Sequence, residues 1–76
     1  MNLEEKIEKL AQFEKEAWSK GVRGLLAAMG IHQNSSSDYA RTLWWEINTH
    51  WLNLSDDKKA PYREWARKII ALLKDS

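Results

Sequence analysis

Five of the 76 residues are tryptophan, and the chain contains no cysteine. A chain this short buries only about 60% of the surface that its unfolded form exposes, so its core is necessarily small. Without cysteine, neither disulfides nor thiolate-bound metal can reinforce that core. Each buried indole covers roughly 150–250 Å², so a few aromatic rings must supply much of the apolar contact. The sequence therefore predicts a single domain over residues 1–76 that is packed around large aromatic side chains.

Three segments carry apolar residues at every third or fourth position, which is the spacing of amphipathic helices. No segment alternates apolar and polar residues as a half-buried strand would. We therefore predict an all-α, three-helix domain with a long first helix. The predicted helices span about residues 2–29, 38–53 and 56–74.

Local side-chain chemistry predicts where these helices begin and end. Gly30 can adopt positive φ and is expected to cap the first helix. Ser37 or Asp38 suits the N-cap of the second helix, and Ser55 suits that of the third. Pro61 lies too far from Ser55 to be the first helical residue, so we expect a short turn over residues 56–60 before regular helix begins.

The three predicted helices have unequal lengths. At 1.5 Å per residue the first is roughly 40 Å long and the others roughly 25 Å each, so a regular bundle would leave part of the first helix uncovered. Two arrangements stay open: a splayed fold, or packing of Leu3, Ile7 and Leu10 against the third helix or a second subunit. The predicted core consists of Phe13, Trp18, Leu25, Leu43, Trp44, Ile47, Trp51, Leu54, Tyr62, Trp65 and Ile69.

The junction of the second and third helices resembles the corresponding corner of an HMG box. The residues that carry the resemblance are Trp51, Leu54, Ser55, Lys59, Pro61, Tyr62 and Ala66. This corner is also similar to that of small helical proteins encoded in phage genomes, which suggests a phage-type accessory protein. The HMG-box resemblance implies a splayed, L-shaped arrangement. It does not extend to the basic N-terminal strand with which that family grips DNA, because residues 2–8 here contain three Glu and only one Lys.

Trp45 and Leu52 fall opposite the main apolar face of the second predicted helix, with Arg41 beside them. One interpretation is that this helix is sandwiched and the patch packs under the first helix. The other is that the patch is an exposed anchor for a partner, since Trp and Arg dominate interface hot spots. The second interpretation predicts a small, non-enzymatic protein-interaction module that binds through Trp45, Leu52 and Arg41.

The third helix offers an alternative function. From residue 58 onward six bases face two acids, and four of the bases share one stripe: Lys59, Arg63, Arg67 and Lys74. Such a stripe could neutralise three or four phosphates of DNA. It is also what a solvated helix face would show. The chain as a whole, with a formal net charge of +1, lacks the basic excess of a nucleic-acid-binding domain.

The remaining patterns predict neither catalysis nor a cofactor. His50 follows Glu46 by one helical turn and could poise a general base, but such pairs are more often modest helix contacts. Two isolated His without Cys do not predict a metal site. No apolar run reaches the roughly 18 residues of a membrane span, and no signal peptide is recognisable. We expect an intracellular protein with no small-molecule substrate.

Overall fold

The computed structural model describes residues 1–75 and contains three α-helices, with no strand in that range. The helices are α1 (Leu3–Ala28), α2 (Asp38–Asn48) and α3 (Asp56–Asp75), and a short 3-10 turn (Trp51–Asn53) separates α2 from α3. The predicted all-α, three-helix domain with a long first helix is confirmed. Ser76 lies outside the described residues.

Both ends of α1 are fixed by local side-chain and backbone chemistry. At its start the Asn2 side chain accepts a 2.8 Å hydrogen bond from the Glu5 amide. At its end Gly30 adopts φ +73°, and its amide donates to the Ala27 carbonyl over 3.1 Å. The Ile31 amide donates to the Leu26 carbonyl over 2.9 Å, which completes a Schellman motif. The predicted role of Gly30 as the cap is confirmed.

α2 ends at Asn48, five residues before its predicted boundary. Its N-cap is Ser37, whose hydroxyl accepts from the Ala40 amide. After Asn48 the backbone is extended at Thr49 and His50, with ψ of 127° and 146°. The Thr49 hydroxyl donates to the Trp45 carbonyl, as polar side chains near helix ends often do. This break redirects the chain, so that Trp51 is buried as the first residue of the 3-10 turn.

α3 starts at Asp56 and runs through Pro61, so the short turn expected over residues 56–60 is not formed. The Lys58 amide donates to the Ser55 hydroxyl over 3.3 Å, which confirms Ser55 as the cap. Pro61 has no amide hydrogen, so the Asp57 carbonyl loses its helical donor. Both residues are exposed, and water can replace that donor.

The long first helix is shared between two partners. Its N-terminal half packs against α3 around one cluster of buried residues: Ile7, Ala11, Trp51, Leu54 and Ala66. Its C-terminal half packs against α2 around a second cluster: Leu26, Trp44 and Ile47. The radius of gyration is 14.5 Å, compared with about 11 Å for a compact chain of this length. The fold is therefore splayed along α1, with extents of 44 × 25 × 16 Å.

The buried face of α1 differs from the predicted one. Phe13 and Leu25, both predicted in the core, are 65% and 59% exposed, so these two predictions are wrong. The buried positions include Lys15 and Ser19, which apolar periodicity cannot recognise as inward-facing. Ile7 packs in the α3 cluster, so α3 covers this part of α1 and no second subunit is needed there.

Replacing Gly30 tests the Schellman motif. We expect Gly30→Ala to lower the free energy of unfolding by about 1–2 kcal/mol, because a Cβ is strained at positive φ. Urea denaturation of dilute protein, followed by tryptophan fluorescence, measures the change. Gly24→Ala is the matched control, since Gly24 is helical with nothing within 4 Å of an added Cβ. It should raise stability by up to about 1 kcal/mol. The same sign for both variants would contradict the motif.

Candidate functional site

Trp45 lies on the surface of α2, 52% exposed, while its neighbour Trp44 is buried. The Trp44 indole N–H donates to the Ile31 carbonyl over 3.2 Å and holds the α1–α2 loop against the helix. Trp45 lines an open depression of about 420 Å³ together with Arg41. Arg41 is itself exposed and ion-paired with Asp38. The interpretation in which α2 is sandwiched, with Trp45 packed under α1, is therefore wrong.

Leu52 does not join this depression. It is 75% exposed but belongs to the 3-10 turn, beyond the break at Thr49. The sequence grouped Leu52 with Trp45 and Arg41 by extending one regular helix across the break. We therefore define the Trp45 surface by the exposed residues that line the depression: Gln33, Arg41, Trp45 and Asn48, with Thr49 half-buried at its edge.

Half of the predicted basic stripe takes part in packing. The Lys59 ammonium lies 5.3 Å from the centre of the Trp51 ring, and the Arg63 guanidinium lies 5.9 Å from it. Arg63 also pairs with Glu8 of α1 and, over 3.3 Å, with Asp56. The hydrogen bond to Glu8 raises the pKa of Arg63. These two bases therefore hold α3 against the corner and against α1.

The other half of the stripe borders a different cavity. Arg67 and Lys74 line a cavity of about 310 Å³ between the start of α1 and the second half of α3. Its other lining residues include Leu3, Ile7 and the acidic Glu4. Lys59 and Arg63 thus pack against the Trp51 ring, and Arg63 is also ion-paired. Arg67 and Lys74 are exposed and line a cavity together with the Glu4 carboxylate.

The structure also reveals a cationic cluster that the sequence analysis missed. Lys15 is 4% exposed, and its ammonium donates to the carbonyls of Ile47 and Thr49 over 3.5 and 2.5 Å. Arg23 donates to the Ile47 carbonyl over 3.2 Å and to the Asn48 side chain over 3.0 Å. Two cations of α1 thus complement the negative end of the α2 dipole. The sequence signal was weak: the two bases lie eight residues apart, so they are about 80° apart around α1 and can face the same neighbour.

This cluster borders a cavity of about 390 Å³, but both cations already donate to carbonyls at the end of α2. Burial lowers the pKa of Lys15, with a further lowering from Arg23, while Glu46 acts in the opposite direction. The Ser19 hydroxyl is buried nearby without a hydrogen-bond partner among residues 1–75. Because the ammonium is committed to backbone carbonyls, we assign the cluster to helix capping and not to ligand binding.

Glu46 and His50 do not form the pair considered from the sequence. α2 ends before His50, so His50 is not part of the helix. Its ring nitrogen instead accepts a 3.2 Å hydrogen bond from the Leu52 amide. Glu46 accepts a 2.9 Å hydrogen bond from the Tyr62 hydroxyl and lies 3.5 Å from Lys58. Burial raises the pKa of Tyr62, and the bond to Glu46 raises it further. This contact therefore ties α2 to α3.

No family model, curated protein or solved structure matches this chain. The HMG-box and phage-protein resemblances of the corner therefore stay predictions. Over residues 1–75, none of the helices combines the length and apolar character needed to cross a bilayer. In the same range no three His, Asp or Glu side chains gather as metal ligands would.

Replacing Lys15 tests the capping cluster. Lys15→Met keeps the apolar stem but removes the donor of two carbonyls, so we expect a loss of about 1–3 kcal/mol in the free energy of unfolding. Lys9→Met, at an exposed position of the same helix, should change stability by no more than about 0.5 kcal/mol. Chemical denaturation of the three proteins at neutral pH measures both effects. Equal stability of all three would contradict the capping role.

The lowered pKa of Lys15 also predicts a pH dependence with a defined sign. Between the folded pKa and the unfolded value of 10.5, the unfolded chain binds more protons at this residue than the folded chain does. The part of the stability that is linked to this titration therefore rises with pH in that window and is absent below the folded pKa, where the hydrogen bonds of the ammonium still contribute. The stability gap between wild type and Lys15→Met should widen as pH approaches 10.5. Tyr62 is present in both proteins, so its own titration largely cancels.

Proposed function

We propose that this chain is a small, non-enzymatic protein-interaction module whose partner docks on the Trp45 surface. The observation that carries the proposal is an indole that packing leaves half exposed beside an open depression. Among residues 1–75 the indole N–H of Trp45 has no acceptor, so this donor is free for a partner's carbonyl. Trp and Arg are the residues most enriched at interface hot spots.

The exposed part of this ring is large enough to anchor a complex. Covering roughly 100 Å² of indole at about 25 cal/mol per Å² contributes about 2.5 kcal/mol. That corresponds to roughly a 70-fold change in the dissociation constant. Arg41, held beside the depression by Asp38, presents the rest of its guanidinium to the same partner. Leu52 would add contact only for a partner that extends beyond the 3-10 turn.

Truncating the indole tests this function. Trp45→Ala should weaken partner binding by roughly 70-fold, for the area reason above. Tyr39→Ala is the matched control, because Tyr39 is a 79% exposed aromatic on the same helix but outside the depression. The partner is first captured from an extract of the source cells with the wild-type chain, and both variants are then titrated against it. Equal affinity of the two variants would contradict the proposal.

DNA binding through Lys59, Arg63, Arg67 and Lys74 is the alternative proposal. Lys59 and Arg63 are committed to Trp51, Glu8 and Asp56, which counts against an open phosphate-binding stripe.

A gel-shift titration against salt separates the two functions. The protein-interaction proposal predicts no shift at low salt. DNA binding through the stripe predicts a shift whose affinity falls with a log–log salt slope of about −3 to −4.

A further inference from the structure

One face of α1 carries only apolar and small residues, and apart from Leu10, which packs against the α3 cluster, none of them belongs to either core cluster. We call this face the α1 seam; its members are Leu10, Phe13, Ala17, Gly21, Gly24 and Ala28. They follow one another at intervals of three or four residues, so they form one continuous stripe on the helix. Phe13 is 65% exposed, Leu10 is half-buried, and the four small residues are exposed.

The two glycines of the seam are not explained by the fold of one copy. Both lie inside a continuous helix, where glycine is less favourable than alanine. A Cβ built on Gly21 or Gly24 would meet nothing within 4 Å, so no other element of the described residues approaches them closely. Neither has positive φ, which within residues 1–75 only Gly30 adopts. What the glycines provide is open space on an exposed helix surface.

The seam is complementary to itself in size. Phe13 and Gly21 lie four residues on either side of Ala17, and Leu10 and Gly24 lie seven residues on either side. An antiparallel pair of α1 helices related by a two-fold axis at Ala17 therefore brings each large side chain level with a glycine. In such a pair Phe13 enters a hole formed by Ala17, Lys20, Gly21 and Gly24 of the second copy, as knobs enter holes in coiled coils.

Charge also favours the antiparallel direction. Glu16 and Lys20 are exposed on one flank of the seam, and no ion pair joins them within the described chain. Glu16 accepts only a long, 3.5 Å hydrogen bond from Gln12. The same two-fold axis places Glu16 of one copy about two residues along the helix from both Lys20 and Glu16 of the other. Lys20 lies about 40° nearer the centre of the seam, so the opposite charge is the closer of the two, twice per dimer. A parallel pair would place opposite flanks together and would lose both contacts.

We propose that two copies of this chain associate through antiparallel α1 seams that cross at Ala17. The seam overlaps itself over residues 10–24, a length of about 21 Å and one helix wide, which puts the interface at the low end of specific interface areas. The dimer is therefore expected to dissociate on dilution, in the micromolar range or above. The seam shares no residue with the Trp45 surface, and the dimer does not depend on the proposed function.

Sedimentation equilibrium of the full chain, from about 1 µM to about 1 mM, measures the association. Wild type should show a concentration-dependent dimer. Phe13→Ala and Gly21→Leu should each raise the dissociation constant at least about tenfold, the first by removing the knob and the second by filling the hole. Gly21→Leu also introduces a good helix former into open space, so its folding is not at risk. Tyr39→Ala, an exposed aromatic outside the seam, should leave the dissociation constant unchanged.

Cysteine scanning tests the direction, because the chain has no cysteine of its own. Ala17→Cys lies on the proposed axis and should form a disulfide-linked dimer readily, since the two Cα atoms come within the roughly 4–7 Å that a disulfide spans. Ala28→Cys is at an exposed seam position, and its two copies would lie about 33 Å apart in the antiparallel pair. This variant should therefore not form a disulfide-linked dimer. Equal cross-linking at both positions would overturn the antiparallel geometry. A chain that stays monomeric up to about 1 mM would overturn the dimer and leave the seam to a different partner.

Discussion

The fold depends on a lysine ammonium buried between two helices. An unpaired charge in that position would be strongly unfavourable, and so would the last carbonyls of a buried helix without donors. Lys15 resolves both problems at once, because its ammonium donates hydrogen bonds to the Ile47 and Thr49 carbonyls. Arg23 reinforces the same helix end. α2 therefore stops where α1 provides cations, and the extended residues that follow redirect the chain into the corner before α3.

That corner explains why so small a chain carries so many aromatic rings. A splayed fold has two separate clusters along α1, and neither is large enough to be stable alone. Tyr62 connects them: its ring meets Trp18 edge-on at 6.2 Å and Trp51 at 6.0 Å, while its hydroxyl binds Glu46 of α2. Large planar side chains can span the gap between the clusters, where aliphatic residues would leave a void.

The features that the sequence predicted correctly are those set by neighbouring residues. Gly30 and Ser55 act within one turn of themselves, so their caps could be read directly. The end of α2 depends on Lys15, more than thirty residues earlier, which no local pattern reveals. The rotation of α1 was misjudged for a related reason, since a buried lysine counts as exposed in any apolar periodicity. Trp45 was identified as a candidate, but its exposure depends on which side of α2 the first helix covers.

The uncovered surfaces follow from the same geometry. α2 and α3 both pack on one side of α1, so within residues 1–75 most of its opposite side has no partner, and the outer face of α2 has none either. Solubility alone would favour polar residues at both places, yet Phe13 and Trp45 occupy them. The two surfaces lie on different helices, so pairing through α1 would display two Trp45 surfaces on one particle. A partner with repeated binding sites would then be held by both, and the second contact would form at the high effective concentration that the first one sets.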